Sequence, residues 1–410
     1  MRAYAVRSCL AAWVALMAFA PAPSFATDAR ELHESLLTLD SHLDTPANFS
    51  RPGWDMLDAH VRDQDFSQVD YPRMVAGGLD GGFFTIYTPQ GPRTAQGFAD
   101  ARTSALLRTV AIHTMVARHG ERFELALRAD DAARIAAAGK RIVYLSIENL
   151  YPIGMDLTLL QTFYDLGVRM VGPVHFRNND LADSSTDPDG PEWHGLSPLG
   201  RALVAEANRL GMILDASHAS DDVFDQMLEL SATPIILSHS GVKAEFDHPR
   251  NIDDARLRRL AAAGGVIQMN AYGDYLIEAV QIPQREAAFD ALRDRYGPRR
   301  SLAGEELRAY AAERNAIEAH YPVPRASFDD FMAQMLHALD VVGPDHVGIG
   351  LDWDGGGGVT GMEDVASIAR ITERLLVEGT SRDDLAKIWS GNVLRLLRAA
   401  EAEAEAAAQR

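Results

Sequence analysis

Short apolar runs recur along the chain and alternate with stretches that have the periodicity of a helix. The runs are rich in valine, isoleucine and aromatic residues and are apolar at nearly every position, which is typical of strands buried on both faces of a parallel sheet. Eight such runs alternating with helices predict an α/β fold, a (β/α)8 barrel of the TIM type. The predicted strands are residues 36–40, 82–87, 142–147, 169–174, 212–216, 234–238, 265–270 and 346–351.

Between these runs, some helices have recognisable ends. Residues 197–210 begin with Ser197 as a cap and Pro198 at the first helical position, and Gly211 follows as a stop. The long charged segment 274–324, between the seventh and eighth strands, is helix-prone. We interpret it as an excursion over the barrel mouth, acting as a lid or as a contact in an oligomer such as a homodimer. We expect one domain over residues 27–399 and an Ala/Glu-rich tail over 400–410 that is a frayed helix or disordered.

The first 26 residues have the pattern of a signal peptide. Arg2 and Arg7 precede an apolar run over residues 10–20 that is too short to span a bilayer, and we expect cleavage after Ala26. The alternative is an uncleaved anchor. No later run is apolar enough to cross a membrane, so the sequence predicts an exported, periplasmic protein without stable membrane insertion.

The composition limits which catalytic groups and metal ligands the mature chain can use. The single cysteine, Cys9, lies inside the predicted signal peptide, so the mature chain has no disulfide, no cysteine nucleophile and no cysteine metal ligand. Any catalytic metal must therefore be held by histidines and carboxylates. The formal charge of −19, with no basic run, argues against nucleic acid as a partner because it repels a phosphate backbone.

Histidines or acidic residues end six of the eight predicted strands. In barrels of this type the carboxyl ends of the strands meet at one face, and catalysis takes place there. We therefore expect these side chains in one mouth. They are His42 and Asp44 after the first strand, Glu148 after the third, His175 after the fourth, His218 after the fifth, His239 after the sixth and Asp352 after the eighth.

Five of these residues suit a pair of metal ions. His42 and Asp44 are two residues apart and so lie on the same side of their strand. His218 and His239 come from neighbouring strands, and Glu148 ends an apolar strand, where a carboxylate needs a cationic partner. It could bridge two ions. Nitrogen and oxygen ligands without sulfur fit catalytic zinc, and two zinc ions can hold a hydroxide between them.

Other interpretations of these residues remain open. A His-x-Asp pair is often solvated or structural, and a single histidine at a strand end is often a satisfied core residue. Glu148 could instead form a structural ion pair with Arg177 or Arg250.

The chain resembles the membrane (renal) dipeptidase family, also called dehydropeptidases, within the amidohydrolase superfamily, from about residue 40 to residue 399. The resemblance is carried by the segments DSHLD (40–44), SIE (146–148), HFRNN (175–179), DASH (215–218), SHS (238–240), HPRN (248–251), GLDWDG (350–355) and WSGNVLR (389–395). It implies that His42 and Asp44 bind one zinc, that His218 and His239 bind a second, and that Glu148 bridges the two.

The resemblance also implies roles for residues that do not bind metal. His175 matches a histidine that contacts the scissile carbonyl, and Arg250 matches an arginine that grips the C-terminal carboxylate of the substrate. Asp352 matches the aspartate that handles the proton, with Asp354 as its rival. One departure is Asn149, where the family often has glycine. Because of this departure and the variable excursion, the resemblance does not define the pockets that bind the side chains of the substrate.

The implied reaction is hydrolysis of a dipeptide with a free C-terminal carboxylate by a hydroxide that bridges two zinc ions, with tolerance of a D-residue at the C-terminal position. The alternatives are hydrolysis of a lactone or an N-acyl amino acid on the same site, and a non-catalytic binding protein built on a retained barrel.

Overall fold

The computed structural model describes residues 25–409, and of residues 25–27 it describes the backbone only. The predicted signal peptide therefore lies outside the described residues, except for the backbone of its last two. The strands are β1 (Leu39–Leu43), β2 (Gly81–Tyr87), β3 (Phe123–Leu125), β4 (Arg141–Glu148), β5 (Val168–Val171), β6 (Ile213–Leu214), β7 (Ile236–Val242), β8 (Asn251–Ile252), β9 (Val266–Met269) and β10 (Val347–Ile349).

Helices separate most of these strands. They are α1 (Phe25–Glu34), α2 (Arg62–Asp65), α3 (Tyr71–Gly77), α4 (Ala95–Arg118), α5 (Asp131–Ala137), α6 (Thr158–Asp165), α7 (Pro198–Leu210), α8 (Asp221–Leu230), α9 (Asp254–Ala262), α10 (Pro283–Tyr296), α11 (Gly304–His320), α12 (Phe328–Val342), α13 (Ala369–Val377), α14 (Arg382–Ala386) and α15 (Asn392–Gln409). None of the helices in this part of the chain is long and apolar enough to cross a membrane.

Eight parallel strands form the predicted barrel. β1, β2, β4, β5 and β6 pair in that order, and β7, β9 and β10 form the rest. The parallel bridges Asp215–Ile236 and Leu43–Trp353 join the two parts. All eight predicted strands are present, and the two additional strands, β3 and β8, are too short for a periodicity to reveal them.

The predicted bounds of the first, fourth and sixth strands were wrong by a few residues, and the fourth, β5, ends at Val171 rather than at residue 174. β1 covers 39–43 instead of 36–40, and β7 extends to Val242, because each keeps pairing with its parallel neighbour beyond the apolar run. As a result, His42 and His239 lie within their strands rather than after them.

The end of the barrel where the strands begin, opposite their carboxyl ends, is closed by apolar side chains. Residues early in the strands, such as Leu39, Phe83 and Tyr144, form one buried cluster with Leu396 and Leu397 of α15. This end is therefore filled by the last helix, and the carboxyl ends of the strands are left for a site. Residues 400–409 continue α15, so most of the Ala/Glu-rich tail is helical.

The predicted helix ends at 197–211 are confirmed. The side chain of Ser197 accepts a hydrogen bond from the Gly200 N–H, and Gly211 closes α7 with a φ of 78°, which glycine adopts without strain.

The excursion consists of α10 and α11, joined by a 3-10 turn at Arg299–Ser301. It has its own small apolar cluster, formed by Leu292, Leu302, Leu307 and Tyr310. α11 packs against α2, which lies in the segment that follows β1, so the excursion lies over the carboxyl end of the barrel.

Candidate metal centre

The predicted donors converge at the carboxyl end of the barrel, and all five are buried. His42 lies on β1, Glu148 is the last residue of β4, His239 lies on β7, and His218 follows β6. Three groups have ligand atoms within 4.8 Å of one another: His42, Glu148 and His239; Glu148, His175 and His218; and His42, Asp44 and Asp352. The barrel therefore brings together residues that are more than 100 positions apart in the chain.

Histidine side chains lie close to both carboxylate oxygens of Glu148. Oε1 lies 3.0 Å from Nε2 of His218 and 3.4 Å from Nε2 of His239, whereas Oε2 lies 3.8 Å from Nε2 of His42. The structural ion pair considered from the sequence is not found among residues 25–409: Arg177 pairs with Asp187, and Glu148 is partnered by histidines only. Its two oxygens thus face different donors, as a bridging ligand requires.

The donors on the Oε1 side are spaced like metal ligands. Nε2 of His218 lies 3.0 Å from Nε2 of His239, and both nitrogens are close to the same oxygen of Glu148. Zinc–ligand bonds of about 2.0–2.1 Å in a tetrahedron separate neighbouring ligand atoms by roughly 3.3 Å. These three atoms therefore form a triangle into which a zinc ion fits.

A second group lies on the Oε2 side. His42, Asp44 and Asp352 each place one ligand atom within 4.8 Å of the others. The two carboxylates approach because position 355 is glycine: a Cβ on Gly355 would overlap both Oδ1 of Asp352 and Oδ2 of Asp44. This residue thereby shapes the acidic half of the centre.

Burial shifts the pKa of every donor toward its neutral form. It raises the pKa of Glu148 well above its ordinary value, helped by the charges of Asp44 and Asp352, and it raises the pKa of Asp44 to about 6. It lowers the pKa of His42 to about 3 and the pKa of His218 well below its ordinary value. A divalent cation favours charged carboxylates and neutral imidazoles, so this set of buried groups fits a metal ion.

A chain of hydrogen bonds orients His239. The Ser238 Oγ–H donates to Oδ2 of Asp215 over 2.5 Å, and Nδ1 of His239 lies 2.9 Å from Ser238 Oγ. Because the Ser238 hydroxyl donates its proton to the carboxylate of Asp215, the Ser238 oxygen accepts a hydrogen bond from the Nδ1–H of His239. The lone pair of Nε2 then points toward Glu148. The sequence motifs DASH and SHS contain Asp215 and Ser238, but no pattern in them assigns this role.

The structure distinguishes between the two rival aspartates. Asp354 accepts hydrogen bonds from Thr45 Oγ1 over 2.7 Å and from the Gln68 N–H over 2.8 Å, and these hold its carboxylate away from the donors. The side chain of Asp352 forms no hydrogen bond within the described residues and belongs to the second donor group. Asp352 is therefore the carboxylate that is available for chemistry.

Arg250 is a buried cation beside the donors. It donates from Nη2 to the His239 carbonyl over 3.0 Å and from Nη1 to Ser240 Oγ over 3.3 Å, and its guanidinium lies 5.2 Å from the centre of the Tyr275 ring. In the described part of the chain it has no carboxylate partner, and its Nε is buried without a hydrogen bond. A buried guanidinium with free donors is a site for an anion.

His175 lies at the edge of the centre. Its Nε2 is 3.7 Å from Oε1 of Glu148, and its ring centre is 4.1 Å from that of His218. Burial lowers the pKa of His175 to about 3, so its imidazole is neutral and can donate one N–H. The distances alone admit His175 as a metal ligand as well as a contact for a carbonyl.

Strained backbone occurs at the strand ends that carry the site. Asn149, His218, Asp352 and Asp354 have φ between 60° and 65°, in the left-handed region. Residues other than glycine rarely adopt this conformation, and among them asparagine and aspartate do so most often. Asn149 can thus replace the family's glycine without changing the backbone, and its Oδ1 accepts from the Tyr151 N–H.

Comparisons with known proteins agree on one family. The model of the membrane dipeptidase family, peptidase family M19, matches residues 26–410. Dipeptidase tcpJ of Claviceps purpurea (strain 20.1) is 31% identical over 348 residues, which cover 83% of this chain and 71% of that protein.

Solved structures are also similar. The probable dipeptidase PvdM from Pseudomonas aeruginosa is 31% identical with a TM-score of 0.78, over 92% of this chain and 99% of that one. A metallopeptidase from Rhodobacter sphaeroides, solved with a phosphinate mimic of the dipeptide L-Ala-D-Ala, is 25% identical with a TM-score of 0.69, over 89% of this chain and 99% of that one.

Proposed function

Because the chain belongs to the membrane dipeptidase family, we propose that this hydrolase of peptide bonds is a two-zinc dipeptidase whose substrates carry a free C-terminal carboxylate. The observation that carries the proposal is Glu148, whose two oxygens face different groups of donors. Among residues 25–409 no lysine or arginine forms an ion pair with this buried carboxylate, and two metal ions would neutralise it.

In this proposal each zinc is held by two residues of its own and by Glu148, which is shared. His42 and Asp44, which lie in one group with Asp352, hold the first, and His218 and His239, whose Nε2 atoms lie 3.0 Å apart, hold the second. Zinc bound there would acidify the attacking water and polarise the scissile carbonyl. The absence of sulfur ligands fits a catalytic rather than a structural zinc site.

Asp352 is proposed to move the proton. It lies against Asp44, its carboxylate makes no hydrogen bond within residues 25–409, and burial raises its pKa well above the ordinary value. A carboxylate with a raised pKa accepts a proton from the attacking water more readily, and the same group can then give that proton to the leaving amine. His175, as a neutral imidazole, can donate its N–H to the carbonyl oxygen as negative charge develops there.

Arg250 is proposed to bind the C-terminal carboxylate of the substrate. Its unpaired donors suit a carboxylate, and its place beside His239 sets the distance from that carboxylate to the scissile bond. Fixing the terminus in this way admits dipeptides and excludes longer C-terminal extensions.

The stereochemistry and location of the reaction are further parts of the proposal. The Rhodobacter sphaeroides relative was solved with a mimic of L-Ala-D-Ala, which supports tolerance of a D-residue at the C-terminal position here. The signal-peptide pattern of residues 1–26 supports export to the periplasm.

Metal analysis and hydrolysis of a small panel test the proposal. We expect about two zinc ions per chain and turnover of L-Ala-L-Ala and L-Ala-D-Ala, but not of L-Ala-L-Ala-L-Ala, N-acetyl-L-alanine or a lactone. Glu148→Gln should lose zinc and activity together, whereas Glu121→Gln, at an exposed position, should lose neither. One zinc per chain or fewer in the active wild-type enzyme would contradict the shared ligand.

A further inference from the structure

A cavity of about 780 Å³ lies beside the metal centre at the mouth of the barrel. Most of its wall comes from the excursion and its connections, over residues 273–286, Arg299 and 314–326. The remainder comes from Arg62, Phe66 and Gln68 in the segment after β1, and from residues 354–358 after β10. The excursion is therefore the element that gives this cavity its chemistry.

Only a thin segment of chain separates the cavity from the metal centre. Gly355 lines the cavity, and a Cβ at this position would overlap the carboxylates of Asp352 and Asp44 on the other side. Two residues of extended chain span at most about 7 Å, so the step from Asp352 to the cavity-lining Asp354 is no longer than that. The cavity therefore begins beside the acidic half of the centre, although none of the metal donors is among its lining residues.

The cavity is lined by five arginines, and three of them lack a carboxylate partner. Arg314 pairs with Glu318 over 3.1 Å, and Arg285 lies 3.6 Å from Glu286. Arg62, Arg299 and Arg325 form no ion pair with any residue that the structure describes. Unpaired cations at the mouth of the barrel are unexpected in a chain with a formal charge of −19, and the binding of an anion would account for them.

The acidic residues of the cavity form no ion pair with these arginines among the described residues, although the charge of Glu318 acts on Arg62 and that of Asp354 acts on Arg299. Asp354 is engaged by Thr45 and Gln68, and Asp274 and Glu278 lie on the exposed part of the wall. Arg299 instead packs its guanidinium 4.9 Å from the ring centre of Phe66.

The surroundings of Arg299 destabilise the charged form of its guanidinium. Burial, together with the charges of Arg314 and Arg300, lowers its pKa to about 10. An anion in the cavity would offset this cost, because a guanidinium that has given up water gains most from a charge-assisted hydrogen bond.

We propose that this cavity is a subsite for a second carboxylate, the acidic side chain of a dipeptide, with Arg299 as its main contact. The proposal rests on the proposed dipeptidase function. Arg250 is proposed to take the C-terminal carboxylate, so Arg299, with Arg62 and Arg325, selects for a further negative charge. The enzyme accordingly prefers aspartyl or glutamyl dipeptides to those with uncharged side chains.

Matched dipeptide pairs test this preference. The values of kcat/KM are compared for L-Ala-L-Glu against L-Ala-L-Gln and for L-Glu-L-Ala against L-Gln-L-Ala, with L-Ala-L-Ala as a neutral reference. We expect the acidic member of at least one pair to be favoured about tenfold or more, as a charge-assisted hydrogen bond provides. Arg299→Gln should remove this preference and leave L-Ala-L-Ala within about twofold of the wild type, whereas Arg299→Lys should retain part of it.

Two further variants keep the result interpretable. Arg293→Gln changes an arginine on α10 that is exposed, pairs with Asp290 and does not line the cavity, so the preference should persist. Arg62→Gln changes another arginine of the cavity and replaces Arg299→Gln if that variant does not fold. No preference in either wild-type pair, or a preference that survives both Arg299→Gln and Arg62→Gln, overturns the subsite while hydrolysis of L-Ala-L-Ala upholds the dipeptidase. Hydrolysis of none of the five dipeptides overturns the proposed function itself.

Discussion

Replacing Ser238 by alanine removes the middle of the hydrogen-bond chain that orients His239. Its hydroxyl accepts from Nδ1 of His239 over 2.9 Å and donates to Asp215 over 2.5 Å. Without it, the imidazole is free to rotate or to carry its proton on Nε2, the atom that faces Glu148. Asp215 keeps hydrogen bonds from the backbone N–H groups of Ser217 and Ser238, so the barrel itself should remain folded.

The size of the effect follows from what is lost. Removing a partner of a metal-ligating histidine typically costs 10- to 100-fold in metal affinity, which is about 1.4–2.7 kcal/mol. We expect Ser238→Ala to weaken zinc binding by this factor and Ser238→Thr, which keeps the hydroxyl, to bind zinc within about threefold of the wild type.

Zinc affinity is measured by competition with a chromophoric chelator, and folding is followed separately by urea denaturation of the zinc-free protein. Ser146→Ala is the matched control, because it removes another buried hydroxyl of the barrel, one that lies 3.2 Å from Thr85 Oγ1 and forms no hydrogen bond with an imidazole of the described residues. It should lower the free energy of unfolding without changing zinc affinity. Equal zinc affinities for Ser238→Ala and Ser146→Ala would refute the role of this hydrogen-bond chain.

Five other variants give distinct expected results. Arg250→Ala should retain zinc but lose about 10- to 100-fold in kcat/KM for L-Ala-L-Ala, since a charge-assisted hydrogen bond is lost; unchanged kinetics would contradict its role. Asp352→Asn should abolish turnover with zinc retained, whereas Asp354→Asn should mainly lower the melting temperature, because its carboxylate holds structural hydrogen bonds. Gly355→Ala should lose zinc and activity while the circular dichroism spectrum stays native, since its Cβ would displace two carboxylates. Burial lowers the pKa of His33 to about 4, so in the zinc-free protein His33 should contribute up to about 3 kcal/mol to a fall in the free energy of unfolding as pH decreases from about 6.5 toward 4. The histidines of the metal centre, whose pKa values are also lowered, add to this fall, so His33→Gln should make it smaller without removing it. Parallel curves for the two proteins would show that His33 makes no contribution.

The sequence alone was enough to predict the barrel and to select the donors. Runs such as 142–147 are apolar at every position except Ser146, and this local pattern can be recognised without knowing which strands are its neighbours. Because a parallel barrel brings all its strand ends to one face, position along the strand was sufficient to predict that Glu148 and His218 would meet. The bounds of β1 were missed because pairing with β2, and not the apolar run, decides where that strand ends.

The tertiary structure decided what the donors and their neighbours are free to do. Asp352 and Asp354 are equivalent in sequence, two residues apart in one loop, but only Asp354 meets Thr45 and Gln68, which come from elsewhere in the chain. The link from Asp215 through Ser238 to His239 depends on side-chain directions across two strands. The unpaired state of Arg299 depends in the same way on how the excursion folds over the barrel mouth. Such properties follow from contacts between distant segments, and a periodicity of two or 3.6 residues carries no information about them.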